Sequence, residues 1–314
     1  MEILKGLNAL RSLPNGCVLS IGNFDGLHRG HQRILEVARQ HRGEGNERKL
    51  AVATFEPHPL SVIRPEAAPP RLTPQGTKEA MLAAEGVDYL VVLPPEPGVL
   101  NLPAEEFWAL LRDHVKPSWL VEGEEFNFGK SRGGDIEKLR QWTARSAVRL
   151  EVVGAVEVSL CDLTVVRVSS SLVRWLLRNG RARDAAICLG RPYALEGVVV
   201  VGYQRGRTIG VPTANLQCGP QLLPADGVYA GRCKVDGRVC AAAISIGTMP
   251  TFGENKRQVE AHLLGFSGDL YGRRLKVELV DWVRDQRKFN GVELLKAQLA
   301  RDMEGVRERI GPDV

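Results

Sequence analysis

The patterning of the chain changes near residue 190, and that change limits its fold more than any figure of composition. Before it, short apolar runs alternate with helix-patterned stretches. Residues 17–21, 50–55, 89–93 and 119–122 read as strands, and residues 32–41, 78–85 and 105–114 as helices, the first with Ile34, Leu35 and Ala38 on one side. Strands that are apolar almost throughout, each followed by a helix, build a parallel sheet covered on both faces. After residue 190, runs at 195–203, 228–235, 239–246, 259–264 and 275–283 follow one another through turns, without long helices. That is the pattern of a small antiparallel barrel or sandwich. An amphipathic stretch at 292–309 reads as one closing helix. Short helices are expected at 170–178 and 184–189, and the Pro-rich segment 57–74 as a loop over the sheet's edge. The boundary then falls at 186–192, giving an α/β domain over 1–187 and a β-barrel domain over 188–314.

A length of 314 residues is enough for two such cores. The net charge is +5 without a Lys/Arg block, which suits anionic small molecules at least as well as nucleic acid. No apolar run reaches the length of a membrane span, and the N-terminus lacks a basic region followed by an apolar core. A cytoplasmic protein with no membrane and no nucleic-acid partner is expected. The six cysteines include no CxxC pair, so they are expected to be reduced core residues and not a zinc site or disulfide set.

The first chemically loaded stretch follows the first strand. Gly22-Asn23-Phe24-Asp25-Gly26-Leu27-His28-Arg29-Gly30-His31 holds three glycines, an acid and two histidines, more than a turn needs. It sits between a strand and a helix, where parallel α/β sheets bind ligands. A helix N-terminus offers unpaired N–H groups to phosphate, and Gly22, Gly26 and Gly30 let backbone approach a ligand closely. His28 and His31, three apart, share a face of the first helical turn. Two imidazoles there can donate to a phosphate that gains charge during displacement. A metal held by Asp25, His28 and His31, or a plain structural turn, remain open readings of the same stretch. Gly123 to Ser131 nearly spells a Walker A loop, but has one residue too many between its glycines and two glutamates and two phenylalanines among them.

In the second half, Gly202, Gly206 and Gly210 mark a basic glycine-rich loop, which by itself reads as a hairpin with a Pro-Thr exit. Thr213 and Asn215 offer oxygen ligands two apart, compatible with a magnesium ion that keeps several waters. In Val259-Glu260-Ala261-His262-Leu263 the period of two puts Glu260 and His262 on one side.

Gly22 to His31 resembles the HxGH motif of nucleotidylyltransferases in the form found in the prokaryotic bifunctional riboflavin kinase/FMN adenylyltransferase (FAD synthetase) family. Thr54-Phe55-Glu56-Pro57-His58-Pro59, Gly123-Glu124-Glu125-Phe126-Asn127-Phe128-Gly129 and Val168-Ser169-Ser170-Ser171-Leu172-Val173-Arg174 are similar to further segments of that family, in order. Ser171 stands where the family usually has Thr, and Glu125 where it has Asp or Asn. Gly206-Arg207, Pro212-Thr213-Ala214-Asn215, Gly227-Val228-Tyr229-Ala230, Gly247, Pro250-Thr251-Phe252, Glu260-x-His262 and Asp285-Gln286-Arg287-Lys288-Phe289 resemble its kinase module.

The resemblance implies an N-terminal nucleotidyltransferase sheet and a C-terminal riboflavin kinase barrel. It implies riboflavin, FMN and ATP as small-molecule substrates, Mg2+ as cofactor, and FMN and FAD as intermediate and product. His28 and His31 would stabilise the α-phosphate, with Gly22, Asn23, Asp25 and Gly30 placing nucleotide or metal. Ser169, Ser170, Ser171 and Arg174 would contact the triphosphate, and Gly206, Arg207 and Gly210 the phosphates of the kinase step. Thr213 and Asn215 would hold the magnesium–nucleotide, Glu260 would be the general base, and Glu125 and His262 would face the flavin. The alternatives are an adenylyltransferase for another small phosphate, a flavin-binding regulatory protein with one site inactive, and an RNA-binding protein. The last is disfavoured because the HxGH likeness to tRNA-charging enzymes lacks their KMSKS string here.

Overall fold

The computed structural model describes residues 1–202, 206, 209–248 and 257–311. It divides into two compact units, Met1–Glu157 and Val158–Val314.

The first unit is a parallel sheet of β1 (Glu2–Lys5), β2 (Val18–Ile21), β3 (Leu50–Phe55), β4 (Tyr89–Leu93), β5 (Trp119–Gly123) and β6 (Arg149–Val153), in the order β1-β4-β3-β2-β5-β6. Between the strands run α1 (Arg29–Gln40), α2 (Gln75–Ala84), α3 (Ala104–Leu110) and α4 (Ile136–Thr143). The inner strands are largely apolar because both faces are covered. Val18, Val52, Leu90 and Val121 pack with Leu35 and Ala38 of α1 and Leu82 of α2. Leu19, Ala53, Val91 and Leu120 face the other way, onto Phe107 and Trp108 of α3 and Leu139 of α4.

The edge strands β1 and β6 carry exposed polar residues, so they lack the continuous apolar run that marks the inner ones. The segment 57–74 is not all loop: Leu60–Ile63 forms a helical turn. The helix expected over 105–114 ends instead in a single π turn, Leu111–Val115, stopped by Lys116 at φ 49. From β2 the chain adds β3 and β4 on one side, then crosses back to place β5 on β2's other flank. The carboxyl ends of β2 and β5 are therefore the switch point where such sheets bind ligands.

In the second unit α5 (Ser170–Arg178) and α6 (Ala182–Leu189) follow a short two-stranded sheet of Glu157–Ser159 and Val165–Arg167. A closed antiparallel barrel follows: β7 (Tyr193–Val200), β8 (Ala214–Gln217), β9 (Gly227–Val235), β10 (Arg238–Thr248), β11 (Arg257–Leu263) and β12 (Arg274–Asp285), ordered β7-β8-β11-β10-β9-β12. Leu195, Tyr229, Ile244, Ile246, Val277 and Leu279 fill its core. The four-residue β8, just after Pro212, is too short to show a strand period and was not expected from the sequence.

The closing helix α7 (Val292–Ile310) seats Val306 on Ala230 and Ala241 of the barrel. One turn before Val306, Asp302 receives both arms of the Arg284 guanidinium at 2.7 Å, and Gln298 at 2.8 Å. Removing one member of a buried ion pair strands the other charge. Asp302→Ala should therefore cost about 3–5 kcal/mol, read as a lower urea midpoint of the barrel unit.

Of the six cysteines, all free, only Cys17, Cys188 and Cys233 are buried. Cys161 is exposed, so the expectation of core cysteines holds for half of them.

Candidate active sites

The loop after β2 enters α1 through His28, its N-cap, whose Nδ1 accepts from the His31 N–H at 3.4 Å. An accepting Nδ1 leaves Nε2–H as the donor of a neutral His28. The two imidazoles stack, with ring centres 3.7 Å apart and 19° between planes, and Phe24 packs on His31 at 5.1 Å. Phe24 and Leu27 hold left-handed backbone at φ 47 and 37, yet are only 1% and 3% exposed. Such conformations cost about 1–3 kcal/mol each and persist where burial over-determines them. At Gly22 a side chain would stand 3.2 Å from the Phe24 ring, which would have to give by a few tenths of an ångström. Gly30 is the second residue of α1, and Asn23 is exposed, its carbonyl accepting from Thr54 Oγ1 at 3.1 Å.

Asp25 turns inward. Its carboxylate accepts from the N–H groups of Leu72 and Thr73 at 3.0–3.1 Å, pinning the segment that leads into α2. Burial, then the neighbouring His28 and Lys78, push the His31 pKa well below the usual histidine value, so this ring is neutral. Its Nδ1 is buried and makes no hydrogen bond.

Lys78 is the residue the sequence reading missed here. It is 4% exposed and pairs with Glu56 at 3.1 Å, while Arg71 pairs with the other oxygen of Glu56. The available signal was a lysine four residues before Leu82 on the apolar face of α2.

Glu125 is exposed on the turn beyond β5, where its carbonyl accepts from Asn127 Nδ2 at 2.6 Å. Phe126 and Phe128 of the same segment stack at 5.4 Å, and Phe128 packs on Phe107. Asn127–Phe128 pairs antiparallel with Gly134–Asp135 and opens no phosphate-binding helix. Ser169 is the N-cap of α5, its Oγ accepting from the Leu172 N–H at 3.1 Å. Ser170 and Ser171 begin that helix, and Arg174 is buried on it. All four belong to the second unit.

In the barrel, β8, β11 and β10 lie side by side. Asn215 stands opposite Glu260, and Glu260 opposite Ser245, so three polar residues form one row across three strands. Burial raises the Glu260 pKa above the usual carboxylate range. Glu260, His262 and Ser245 line a cavity of about 350 Å³ together with Gly206, Thr213 and Phe289. A second cavity of about 590 Å³ is lined by Thr213, Asn215, Asp269 and Tyr271, so Thr213 stands in the wall of both.

His262 Nδ1–H donates to the Pro212 carbonyl at 2.7 Å, which ties the residue before Thr213 to β11. At Gly206 the chain runs so close to the Val211 carbonyl that a side chain would strike it, and the Gly206 carbonyl accepts from the Val211 N–H at 2.8 Å. Gly210 turns the loop at φ 82. Arg207 and residues 250–252 lie outside the described residues.

Both halves of the chain match known proteins, in chain order. Residues 10–171 match the family model described as FAD synthetase, and residues 189–310 the one described as riboflavin kinase. The bifunctional riboflavin kinase/FMN adenylyltransferase of Escherichia coli K12 is 38% identical over 99% of this chain and 98% of its own. That of Pseudomonas fluorescens is 36% identical over 99% of both. A solved structure described as a macrolide-efflux protein from Streptococcus pneumoniae is 29% identical, with a TM-score of 0.87 over 98% of this chain and 99% of that one. Among the described residues no helix is long and apolar enough to cross a membrane. The chain belongs to the bifunctional riboflavin kinase/FMN adenylyltransferase family.

Proposed function

We propose that the barrel unit converts riboflavin and ATP to FMN and ADP, and that the α/β unit joins FMN to the adenylyl group of a second ATP, giving FAD and diphosphate. The observation that carries the reading is Thr213, placed between two cavities beside the row Asn215–Glu260–Ser245. A phosphoryl donor in the larger cavity and an alcohol in the smaller one would meet there. Glu260 takes the proton of the ribityl hydroxyl as its oxygen attacks the γ-phosphorus, and ADP leaves. A carboxyl with a raised pKa is a better match to that proton than an ordinary one. The backbone at Gly206 and Gly210, with Arg207, cradles the phosphates, and His262 holds the Pro212-Thr213 segment against the flavin side.

Among the described residues no cluster of three or more His, Cys, Asp or Glu can cage a metal. Thr213 and Asn215 fit magnesium in its other mode: a few protein oxygens, the substrate's phosphates and water. When bound, the ion neutralises charge on the phosphate oxygens.

In the α/β unit the FMN phosphate is the nucleophile at the α-phosphorus and is already ionised, so no base is required. His28 and His31 donate to the α-phosphate oxygens, while Gly22, Asn23 and Gly30 leave backbone open to the nucleotide and Asp25 fixes the loop. Ser169, Ser170, Ser171 and Arg174 act on the triphosphate, and Glu125 borders the flavin. The reactions are assigned to the cytoplasm.

The test is a time course with riboflavin, ATP and magnesium, the flavins being separated by chromatography. FMN should appear first and FAD follow, and EDTA should stop both. A folded protein that binds flavin and forms neither product would overturn the reading.

A further inference from the structure

The β2–β5 ladder breaks off early. Val18 pairs with Trp119 and Leu19 with Leu120, and the register ends there. On the outer flanks pairing continues, β2 with β3 as far as Ile21–Ala53 and β5 with β6 as far as Gly123–Val153. The sheet therefore splits between two inner strands, at the carboxyl ends that form the switch point. In a parallel ladder the N–H groups of alternate residues point to the same neighbour. Val18 and Gly22 donate towards β3, to Lys49 and Ala53, so Ile21 donates towards β5.

The β2–β5 register has ended before Ile21. Its N–H goes instead to Oε1 of Glu122, at 2.9 Å, in a residue only 1% exposed. A buried acid near the end of an otherwise apolar inner strand is costly unless its oxygens find partners. Here a side-chain oxygen takes the N–H that a main-chain oxygen would take in a continuing ladder. Ile21 is the last residue before Gly22 and the loop that carries His28 and His31. Burial pushes the Glu122 carboxyl well above the usual carboxylate range.

We propose that Glu122 is a positioning residue for adenylyl transfer: it caps the broken β2–β5 rung, keeps the crevice between the two strand ends open, and fixes the strand residue from which the phosphate-binding loop departs. This rests on the function proposed above for the α/β unit. A glutamine side chain keeps an Oε1 acceptor of the same reach, which gives the inference a specific signature. In Glu122→Gln the Oε1 acceptor survives, and most FAD formation from FMN and ATP should survive with it. In Glu122→Ala the rung is lost, and kcat for FAD formation should fall roughly ten- to a hundredfold, as for a small misplacement of catalytic groups. Glu122→Met, which fills the space without an acceptor, serves where the alanine variant does not fold.

Kinetics would be measured below the melting temperature of each variant, alongside hydrogen exchange of the Ile21 amide. That exchange should quicken in the alanine and methionine variants and stay slow in the glutamine one. The inference is overturned if the folded alanine or methionine variant makes FAD within twofold of the parent rate. It is equally overturned if the glutamine variant loses as much as they do. A parent protein that makes no FAD would instead sink the functional reading, and the Ile21 amide would still report whether Glu122 holds the rung.

Discussion

Glu260→Gln should abolish FMN formation from riboflavin while leaving FAD formation from supplied FMN at the parent rate. The amide keeps the volume and the hydrogen-bonding shape but cannot take a proton. A positioned general base contributes about 10²–10⁴ in rate, so kinase turnover should fall by that order with little change in the KM for ATP. The pH dependence carries a second signature. Burial raises the Glu260 pKa, so the acid limb of kinase activity should lie above the ordinary glutamate range. Stability should move the opposite way. A carboxyl whose folded pKa is raised stabilises fully below the unfolded value, near 4.3 for glutamate (~4.3). That contribution is lost as pH rises through the folded value. Glu260→Gln should therefore flatten the decline of barrel stability above about pH 4, as measured by urea unfolding at a series of pH values.

His31→Ala is the mirror case. FAD formation should drop about 10²–10³-fold, the usual cost of one donor to a developing oxyanion, and FMN formation should be spared. The ring is neutral because burial, His28 and Lys78 all oppose its protonation. No limb near pH 6.5, taken as about the ordinary histidine value, should therefore arise from it in the rate of FAD formation. The sign of the stability effect follows from the same shift. With the folded pKa depressed, the unfolded chain binds the proton first, and the α/β unit loses stability as pH falls below about 6.5. His31→Ala should remove that part of the loss.

Most of this was legible in the sequence, for reasons specific to each element. The inner strands of the parallel sheet are largely apolar on both faces and stand out, whereas β1 and β6 sit at its edges, where solvent allows Glu2, Lys5 and Arg149. The stacked His28 and His31 follow from a spacing of three at a helix start. Glu260 and His262 share a cavity because of their spacing of two on β11. What spacing cannot carry is contact across the chain. Asp25 reaches forty-seven residues to the Leu72 N–H, Lys78 finds Glu56, and Glu122 finds Ile21 across a gap in the sheet. Each left a faint mark, an ionisable side chain on a buried face, which acquires meaning only once its partner is in place.

The central claim is that two chemistries reside in two separable sites, and mixing the two variants tests it most directly. Glu260→Gln alone, given riboflavin, ATP and magnesium, should yield no flavin nucleotide. His31→Ala alone should accumulate FMN. Combined in one vessel, they should produce FAD at a rate approaching that of the parent supplied with FMN, because each provides the step the other lacks. A mixture that accumulates FMN but forms no FAD, from two folded variants, would contradict the assignment of the steps to these residues.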